Sequence, residues 1–295
     1  MKGDIIKKAY QNCLFGTVEL LARVAQLYQP SSEVYPTGIY AFDNAMDGGV
    51  REGELITISG SSGEGKTSFA VNLSLNFNNK GIPSLWFSYE MNPWYLRKKF
   101  DKIILPKSLY DVSVYAPIEL IDSELKFIDQ QIKEGIKEKA VKIVVIDHLH
   151  YLIDLKSSLN SSLLIGAIVR ELKQIAIDNK VIIFLIAHTR KLNTGDELNL
   201  SSVRDSGMII CESDYVFLIE RRKQKKAAGE RDKKIEENKR AEEGYFSSGS
   251  NFLDESRITL AKNRRTGKIL YKDFKVENEK FIEITNNIKD YEQYI

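Results

Sequence analysis

One short segment of the chain has the residue types and spacing that bind phosphate. Residues 60–67 read Gly-Ser-Ser-Gly-Glu-Gly-Lys-Thr, a glycine-rich loop that ends in a lysine and a hydroxyl. Glycines let backbone N–H groups turn toward phosphate oxygens, and the N-terminus of the following helix adds partial positive charge. Lys66 would reach the outer phosphates, and the Thr67 hydroxyl would ligate Mg²⁺. The predicted nucleotide-binding residues are Gly60, Ser61, Ser62, Gly63, Glu64, Gly65, Lys66, Thr67 and Ser68.

The segments on either side of this loop favour the same interpretation. Residues 55–59 are apolar and predict a buried strand, and residues 66–79 predict a helix. Strand, glycine loop and helix in this order are what phosphate binding requires. We expect the Lys66 side chain to be exposed while the loop is empty.

Two carboxylates follow apolar strands further along the chain. Asp147 ends the strand predicted over 142–147, where it would hold Mg²⁺ through a water near Thr67. Glu90 follows the strand predicted over 84–88, which we expect beside the phosphate-loop strand, and it is the candidate general base for hydrolysis. The alternatives are an ordinary strand-ending aspartate and a glutamate that caps a helix or forms a salt bridge.

Two more positions carry candidate chemistry. His188 lies at the tip of the strand predicted over 181–187 and could sense the γ-phosphate, although an isolated histidine often has no such role. Lys262 and Arg264 lie at the turn of a predicted hairpin. They could act as an arginine finger supplied to a neighbouring subunit, or form a simple exposed turn.

The order of predicted elements indicates an α/β fold. Strands and helices alternate from about residue 36 to 220, which implies a mostly parallel twisted sheet flanked by helices. A β-hairpin over 257–261 and 269–271 follows. We predict two regions, an N-terminal linker helix over 1–30 and an ATPase domain over 31–295, with a charged, flexible insertion at 222–250. The remaining predicted strands are 112–115 and 214–219, and the remaining helices are 93–103, 120–137 and 162–179.

Composition narrows the class of protein. The chain has 295 residues, 43% of them hydrophobic and 28% charged, and a net charge of +2. It carries no long apolar run and no leader pattern, so we expect a soluble, cytoplasmic protein without a membrane partner. Cys13 and Cys211 are too few and too far apart to predict a disulfide framework or a zinc site.

Because the net charge is only +2, any nucleic-acid binding must come from locally placed charges rather than from a basic charge of the whole protein. The loops after Asp147 and His188 both leave strand ends near the predicted nucleotide site. They carry Lys156, Ser157, Lys191 and Arg204, which could track a phosphate backbone without reading bases. The alternative for any one lysine is a solvated charge.

Several segments resemble those of one known family. Residues 87–91 resemble its F-S-L-E-M segment, 146–149 its I-D-Y-L, and 262–264 its K-x-R finger motif. In these respects the chain resembles the helicase domain of the DnaB family, within the RecA-like hexameric ATPases. The resemblance implies a RecA-like P-loop core, a catalytic role for Glu90, and ATP with Mg²⁺ as cofactors.

The same resemblance implies partners. It predicts a ring, a hexamer in this family, that moves on single-stranded DNA, with a primase and a helicase loader as further partners in a bacterial or phage-infected cell. Residues 203–207 resemble D-L-R-E-S-G, which brings Arg204, Asp205 and Gly207 to DNA phosphates.

One branch of the family, the phage helicase-primases and the mitochondrial helicase Twinkle, also carries histidine at the position of His188. In that branch Arg221 would pack on one face of the nucleotide base and Phe274 on the other. Two alternatives remain open: a recombinase or clock-type RecA-like ATPase without unwinding activity, and a nucleotide-binding loader.

Overall fold

The structure is a computed structural model that describes residues 33–103, 112–115, 125–152, 161–190, 198–203, 206–223 and 252–284. The chain divides into two units, Met1–Val34 and Tyr35–Ile295. The linker helix predicted over 1–30 and most of the insertion predicted at 222–250 lie outside the described residues. Both stay predictions.

Strands and helices alternate along the chain, as the sequence predicted. The strands are β1 (Val34–Tyr35), β2 (Val50–Arg51), β3 (Leu55–Gly60), β4 (Ser84–Ser88), β5 (Val112–Tyr115), β6 (Ile143–Asp147), β7 (Ile182–His188), β8 (Tyr215–Lys223), β9 (Phe252–Asn263), β10 (Leu270–Glu277) and β11 (Lys280–Glu283). The helices are α1 (Tyr40–Ala45), α2 (Lys66–Asn78), α3 (Pro93–Ile103), α4 (Leu125–Lys139), α5 (Ser161–Asn179) and α6 (Ser206–Glu212). Short 3₁₀ turns cover Leu149–Leu152 and Leu200–Ser202.

In the described part of the chain, nine strands form one sheet in the order β5-β4-β6-β7-β3-β8-β9-β10-β11. The strands from β5 to β8 in that order are parallel to one another, and β9, β10 and β11 continue the sheet in antiparallel pairs. The predicted α/β class is confirmed. The carboxyl ends of parallel strands meet at one edge of the sheet. The motif residues at the ends of β3, β6 and β7 therefore lie on the same side.

Burial explains why the central strands lack alternating polarity. Every residue of β3, β4 and β6 is buried, because the sheet has an apolar cluster on each face. One cluster holds α2 and the other holds α5. The uninterrupted hydrophobic segments from which these strands were predicted are therefore covered on both faces of the sheet.

Helix α2, which follows the phosphate loop, is buried on both faces. Phe77 packs on Phe184 of the sheet, and Phe69 packs on Phe281 of β11, with ring centroids 5.9 and 5.6 Å apart. The Asn72 amide bonds the backbone of the β10–β11 turn, donating to the Glu279 carbonyl at 2.7 Å. The terminal strands thus cover the helix that presents the loop.

One expectation about this architecture is wrong. The strand that leads to Glu90 does not neighbour the phosphate-loop strand, because β7 and β6 lie between β4 and β3. In addition, no prediction covered the short elements α1, α6, β1, β2 and β11. In the part of the chain that the structure describes, no helix is long and apolar enough to cross a membrane.

A buried polar contact ties α2 to the sheet and allows a test of the fold. The Trp86 indole N–H donates to the Ser74 hydroxyl at 3.0 Å, and both side chains are fully buried. We expect Ser74→Ala to lower the free energy of unfolding by about 1–3 kcal/mol, because it leaves a buried donor without a partner. Denaturant unfolding followed by circular dichroism would measure the loss.

The matched control removes the donor as well. In a Trp86→Phe background, Ser74→Ala should cost clearly less, since no buried N–H remains to be satisfied. An equal cost in both backgrounds would show that the serine acts by packing alone.

Candidate active site

The phosphate loop lies between β3 and α2, as its sequence predicted. Gly60 ends β3 so close to β8 that a Cβ there would lie 2.4 Å from the Ile219 carbonyl oxygen, which excludes any larger residue. Gly65 precedes α2 with φ +98°, a conformation that favours glycine. The loop between them presents its backbone at the carboxyl edge of the sheet, beside a helix N-terminus.

Lys66 is buried, so the expectation of an exposed side chain is wrong. Its exposed fraction is 6%, and Nζ donates to the carbonyls of Gly60 and Ser61 at 2.9 and 2.8 Å. Burial lowers the pKa of this ammonium, and the charges of Glu90, Asp147 and Glu64 oppose that shift. The amine is held inside the loop by backbone oxygens that a bound phosphate would replace.

Thr67 and Asp147 meet as predicted for a metal-binding pair. The Thr67 hydroxyl donates to Oδ2 of Asp147 at 2.8 Å. Burial raises the pKa of the Asp147 carboxyl to about 6, and the neighbouring charge of Glu90 acts in the same direction. Oδ1 of Asp147 is buried and has no hydrogen-bond partner among the described residues. Two oxygen donors, one of them unsatisfied, suit a hard divalent cation.

Glu90 lies in the same pocket, although its strand is not adjacent to β3. Its Oε2 is 3.3 Å from Nε2 of His148 and 3.8 Å from Nε2 of His188. The two imidazole rings pack edge to face, with centroids 4.3 Å apart. Sequence reasoning singled out His188 and Glu90 but assigned His148 no role.

His148 is buried and lies directly after Asp147. Burial, with the nearby His188, His150 and Lys66, lowers the pKa of its imidazole to about 3, so the ring is neutral at physiological pH. The His150 backbone N–H donates to Nδ1 of His148 at 3.2 Å. The sequence signal that could have identified His148 is its position, one residue after Asp147.

A cavity of about 500 Å³ opens at this edge of the sheet, and Lys66, Thr67, Glu90 and His188 are among the residues that line it. Its walls are the phosphate loop, the start of α2, residues of α3 and the β10–β11 turn. Residues that the sequence did not predict here include Met91, Lys99, Lys102, Ser256, Glu279 and Phe281.

The β10–β11 turn closes this cavity through Glu279. The Ser68 hydroxyl donates to Oε2 of Glu279, and Lys99 Nζ donates to the same oxygen at 2.9 Å. Lys102 lies 3.5 Å from the other carboxylate oxygen. Ser68 is therefore bonded to the turn in this structure, and two unpredicted lysines stand at the mouth of the cavity.

Phe274 does not reach the nucleotide pocket, contrary to its predicted place against a base. It is 1% exposed and packs in the core, with its ring centroid 6.2 Å from that of Phe42. The physical reason is the pleat of β10, which turns Phe274 toward α1 and the next residue, Lys275, toward solvent. Phe281, on the next strand, lines the cavity instead and lies 3.4 Å from where a Cβ on Gly65 would stand.

Arg221 does line the cavity. Its backbone N–H donates to the Glu64 carboxylate of the phosphate loop, so β8 and the loop are joined at this point.

Lys262 and Arg264 lie away from this cavity. Lys262 donates to the Ile210 carbonyl, and Arg264 donates to Asp214, whose Oδ2 accepts the backbone N–H of Leu55. Leu55 begins β3, whereas the phosphate loop follows its end. The two candidate finger cations are thus at the opposite edge of the sheet from the site in their own chain.

Of the predicted DNA-binding residues, the structure describes one. Gly207 lies in the first turn of α6. The others, Lys156, Ser157, Lys191, Arg204 and Asp205, lie outside the described residues. The segment after His188 is nevertheless linked to the phosphate loop, since the hydroxyls of Ser61 and Thr189 are 3.2 Å apart.

Two comparisons with sequences agree. A model of the DnaB-like helicase C terminal domain matches residues 35–100 and 115–282. The replicative DNA helicase DnaB of Mycoplasma pneumoniae is 29% identical over 283 residues, which are 83% of this chain and 56% of that protein. A probable replicative DNA helicase of Trieres chinensis is 26% identical over 258 residues, 76% of this chain and 56% of that protein. The chain spans little more than half the length of these relatives.

Solved structures give the same fold. One describes a DnaB-like replicative helicase and its interactions with primase; it matches with a TM-score of 0.65 at 17% identity, over 93% of this chain and 68% of that one. A second, the structure of an ATPase domain, matches with a TM-score of 0.65 at 16% identity, over 92% of this chain and 99% of that one. With the family model covering most of the described residues, the chain belongs to the DnaB-like helicase C-terminal domain family.

Proposed function

We propose that this chain is the motor of a ring-forming DNA helicase, which hydrolyses ATP between subunits and moves along single-stranded DNA during replication. The observation that carries the proposal is one cavity lined by the phosphate loop, Thr67 and Glu90, with the buried Asp147 hydrogen-bonded to Thr67 beside it. Membership of the DnaB-like family and the similarity to replicative helicases support it.

Five residues in or beside the cavity would act in hydrolysis. Lys66 would exchange its bonds to backbone carbonyls for the outer phosphates of ATP. A Mg²⁺ ion held by Thr67 and Asp147 would neutralise phosphate charge. Glu90 would take the proton of the attacking water, and His188, whose ring lies beside it, would contact the γ-phosphate.

The position of Lys262 and Arg264 favours a shared site. Neither lines the cavity of its own chain, and the Arg264 side chain is 49% exposed. A neighbouring subunit would therefore be the one whose transition state Arg264 stabilises. This requirement leads us to propose a closed assembly, a hexamer in keeping with the family.

A path from the cavity to DNA runs through the segment after His188. Ser61 of the phosphate loop contacts Thr189, and Thr189 pairs with Val203 as an isolated bridge. We infer that loss of the γ-phosphate moves this segment, and with it the DNA contacts proposed for Lys191, Arg204, Asp205 and Gly207. Lys156 and Ser157 would add a second contact loop.

Partners beyond DNA follow from the similar proteins. The solved helicase that interacts with primase makes a primase a candidate partner here, and a loader would be needed to place a closed ring on DNA. We infer that this work takes place in the cytoplasm of a bacterial or phage-infected cell.

The first experiment measures whether the chain is a DNA-stimulated ATPase. Phosphate release should rise when single-stranded DNA is added, and a forked duplex should be unwound. Lys66→Ala should lower kcat by on the order of 10²-fold or more, because it removes a cation from the phosphates. Lys80→Ala, an exposed lysine just past the end of α2, should leave the rate unchanged.

Two outcomes would contradict the proposal. Hydrolysis without unwinding, with open filaments in electron micrographs, would indicate a recombinase-type ATPase. Nucleotide binding without hydrolysis would indicate a loader.

A second prediction concerns the base. Glu90→Gln should bind ATP normally and hydrolyse it on the order of 10²-fold more slowly, since the amide cannot accept the water's proton. Titration with a fluorescent nucleotide and a phosphate-release assay would separate the two effects. Glu138→Gln, an exposed carboxylate of α4, is the matched control. If Glu90→Gln loses binding together with turnover, the base lies elsewhere.

A third prediction tests the shared site by mixing two inactive proteins. Arg264→Ala should bind ATP and lose hydrolysis on the order of 10³-fold, the range of an arginine finger. Mixed with Glu90→Gln protein, it should recover measurable activity, because some interfaces then combine an intact Glu90 with an intact Arg264. Lys268→Ala, on the same turn, should remain fully active.

Subunit exchange must be verified in that mixture by fluorescence transfer between labelled chains. Exchange without any recovery of activity would place both residues in the site of one subunit and exclude the shared-interface mechanism.

A further inference from the structure

Glu90 is only lightly constrained by its own segment. It lies past the end of β4, in the bend that precedes α3, and its side chain is 41% exposed. A carboxylate that must accept a proton from one water molecule needs a fixed orientation. The contact that supplies one in this structure comes from His148, whose Nε2 lies 3.3 Å from Oε2 of Glu90.

The ring of His148 is itself held firmly. Its side chain is 7% exposed, it packs edge to face on His188, and the Tyr151 ring centroid is 4.8 Å away. The backbone N–H of His150 donates to Nδ1. Because Nδ1 accepts this hydrogen bond, the ring proton lies on Nε2, which faces Glu90.

A metal ion is the other chemistry that these side chains could support. The ligand atoms of Glu90, His148 and His188 all lie within 4.8 Å of one another. However, a metal on Nε2 of His148 would leave the proton on Nδ1, where it would point at the His150 N–H. The hydrogen bond at Nδ1 therefore favours donation to Glu90 over metal binding.

We propose that His148 is a positioning residue, which donates Nε2–H to Oε2 of Glu90 and leaves Oε1 for the attacking water. The proposal rests on the role of Glu90 as the base in the proposed function. This hydrogen bond would fix the orientation of the carboxylate. His150 contributes through its backbone, by fixing the tautomer of His148.

The test compares two replacements of similar size. His148→Gln keeps an N–H donor of similar reach, and His148→Leu removes it. We expect His148→Leu to lower kcat by on the order of 10-fold to 10²-fold, the cost of a misplaced catalytic group, with the KM for ATP unchanged. His148→Gln should stay within about 3-fold of wild-type kcat, because it preserves the donor that positions the carboxylate.

A merely structural role would give a different pattern. It would lower thermal stability and raise KM in both variants, and equal losses of kcat in both would overturn the proposal. If His148→Leu does not fold, His148→Phe keeps a buried ring without a donor and replaces it in the comparison.

A coupling measurement separates this proposal from the proposed function. In single-turnover assays, His148→Leu should cost nothing further in a Glu90→Gln background, since the group it positions is gone. If Glu90→Gln itself retains wild-type turnover, the base assignment fails. If Glu90→Gln is inactive and His148→Leu has wild-type kcat, the positioning role alone fails.

Discussion

Strand β3 is hydrogen-bonded on both sides, and the site depends on that constraint. Gly60 pairs with His188 on β7, while Ser59 pairs with Leu218 on β8. A loop that follows such a strand starts from a fixed point, with no freedom to shift along either neighbour. The same strand registers place His188 and Arg221 beside the phosphate loop before any nucleotide binds.

The charges of the cavity are arranged for a ligand that neutralises them. Lys66 and Asp147 are both buried, and burial moves their pKa values in opposite directions, each toward its neutral form. Burying a charge is costly unless it is paired. A polyphosphate and a divalent cation would supply the opposite charges. Before they bind, the burial of Lys66 and Asp147 costs the folded protein some stability.

The sequence predicted the parts of this site that depend on local pattern. The phosphate loop needs glycine where the backbone has an unusual conformation or lies close to another strand. Asp147 and His188 each end an apolar run. In all three cases the neighbouring residues in the sequence are enough to predict the feature. Glu90 was found by the same rule, but its strand was placed beside β3 wrongly, because strand order depends on crossovers that one sequence does not specify.

Residues brought in by distant segments were harder to predict. Phe274 and Phe281 are both aromatic and lie on neighbouring strands, and only the pleat of β10 decides that the first is in the core. Glu279 belongs to a turn whose contact with Ser68 spans most of the chain. His148 was overlooked because its partner, Glu90, follows a different strand.

Strand β9 extends from the cavity to the opposite edge of the sheet. Ser256 lines the cavity, and Asn263 ends the strand just before Arg264. At about 3.4 Å per residue, Ser256 and Asn263 are at most about 24 Å apart. Because β8 and β10 bond it on both sides, β9 cannot stretch easily, although its pairing with β8 is irregular between Val216 and Phe217. In any assembly in which Arg264 contacts a neighbour's nucleotide, β9 therefore holds Arg264 at a nearly constant distance from the cavity of its own subunit. A change at one nucleotide site would then be accompanied by rotation of the whole subunit rather than by movement of a loop.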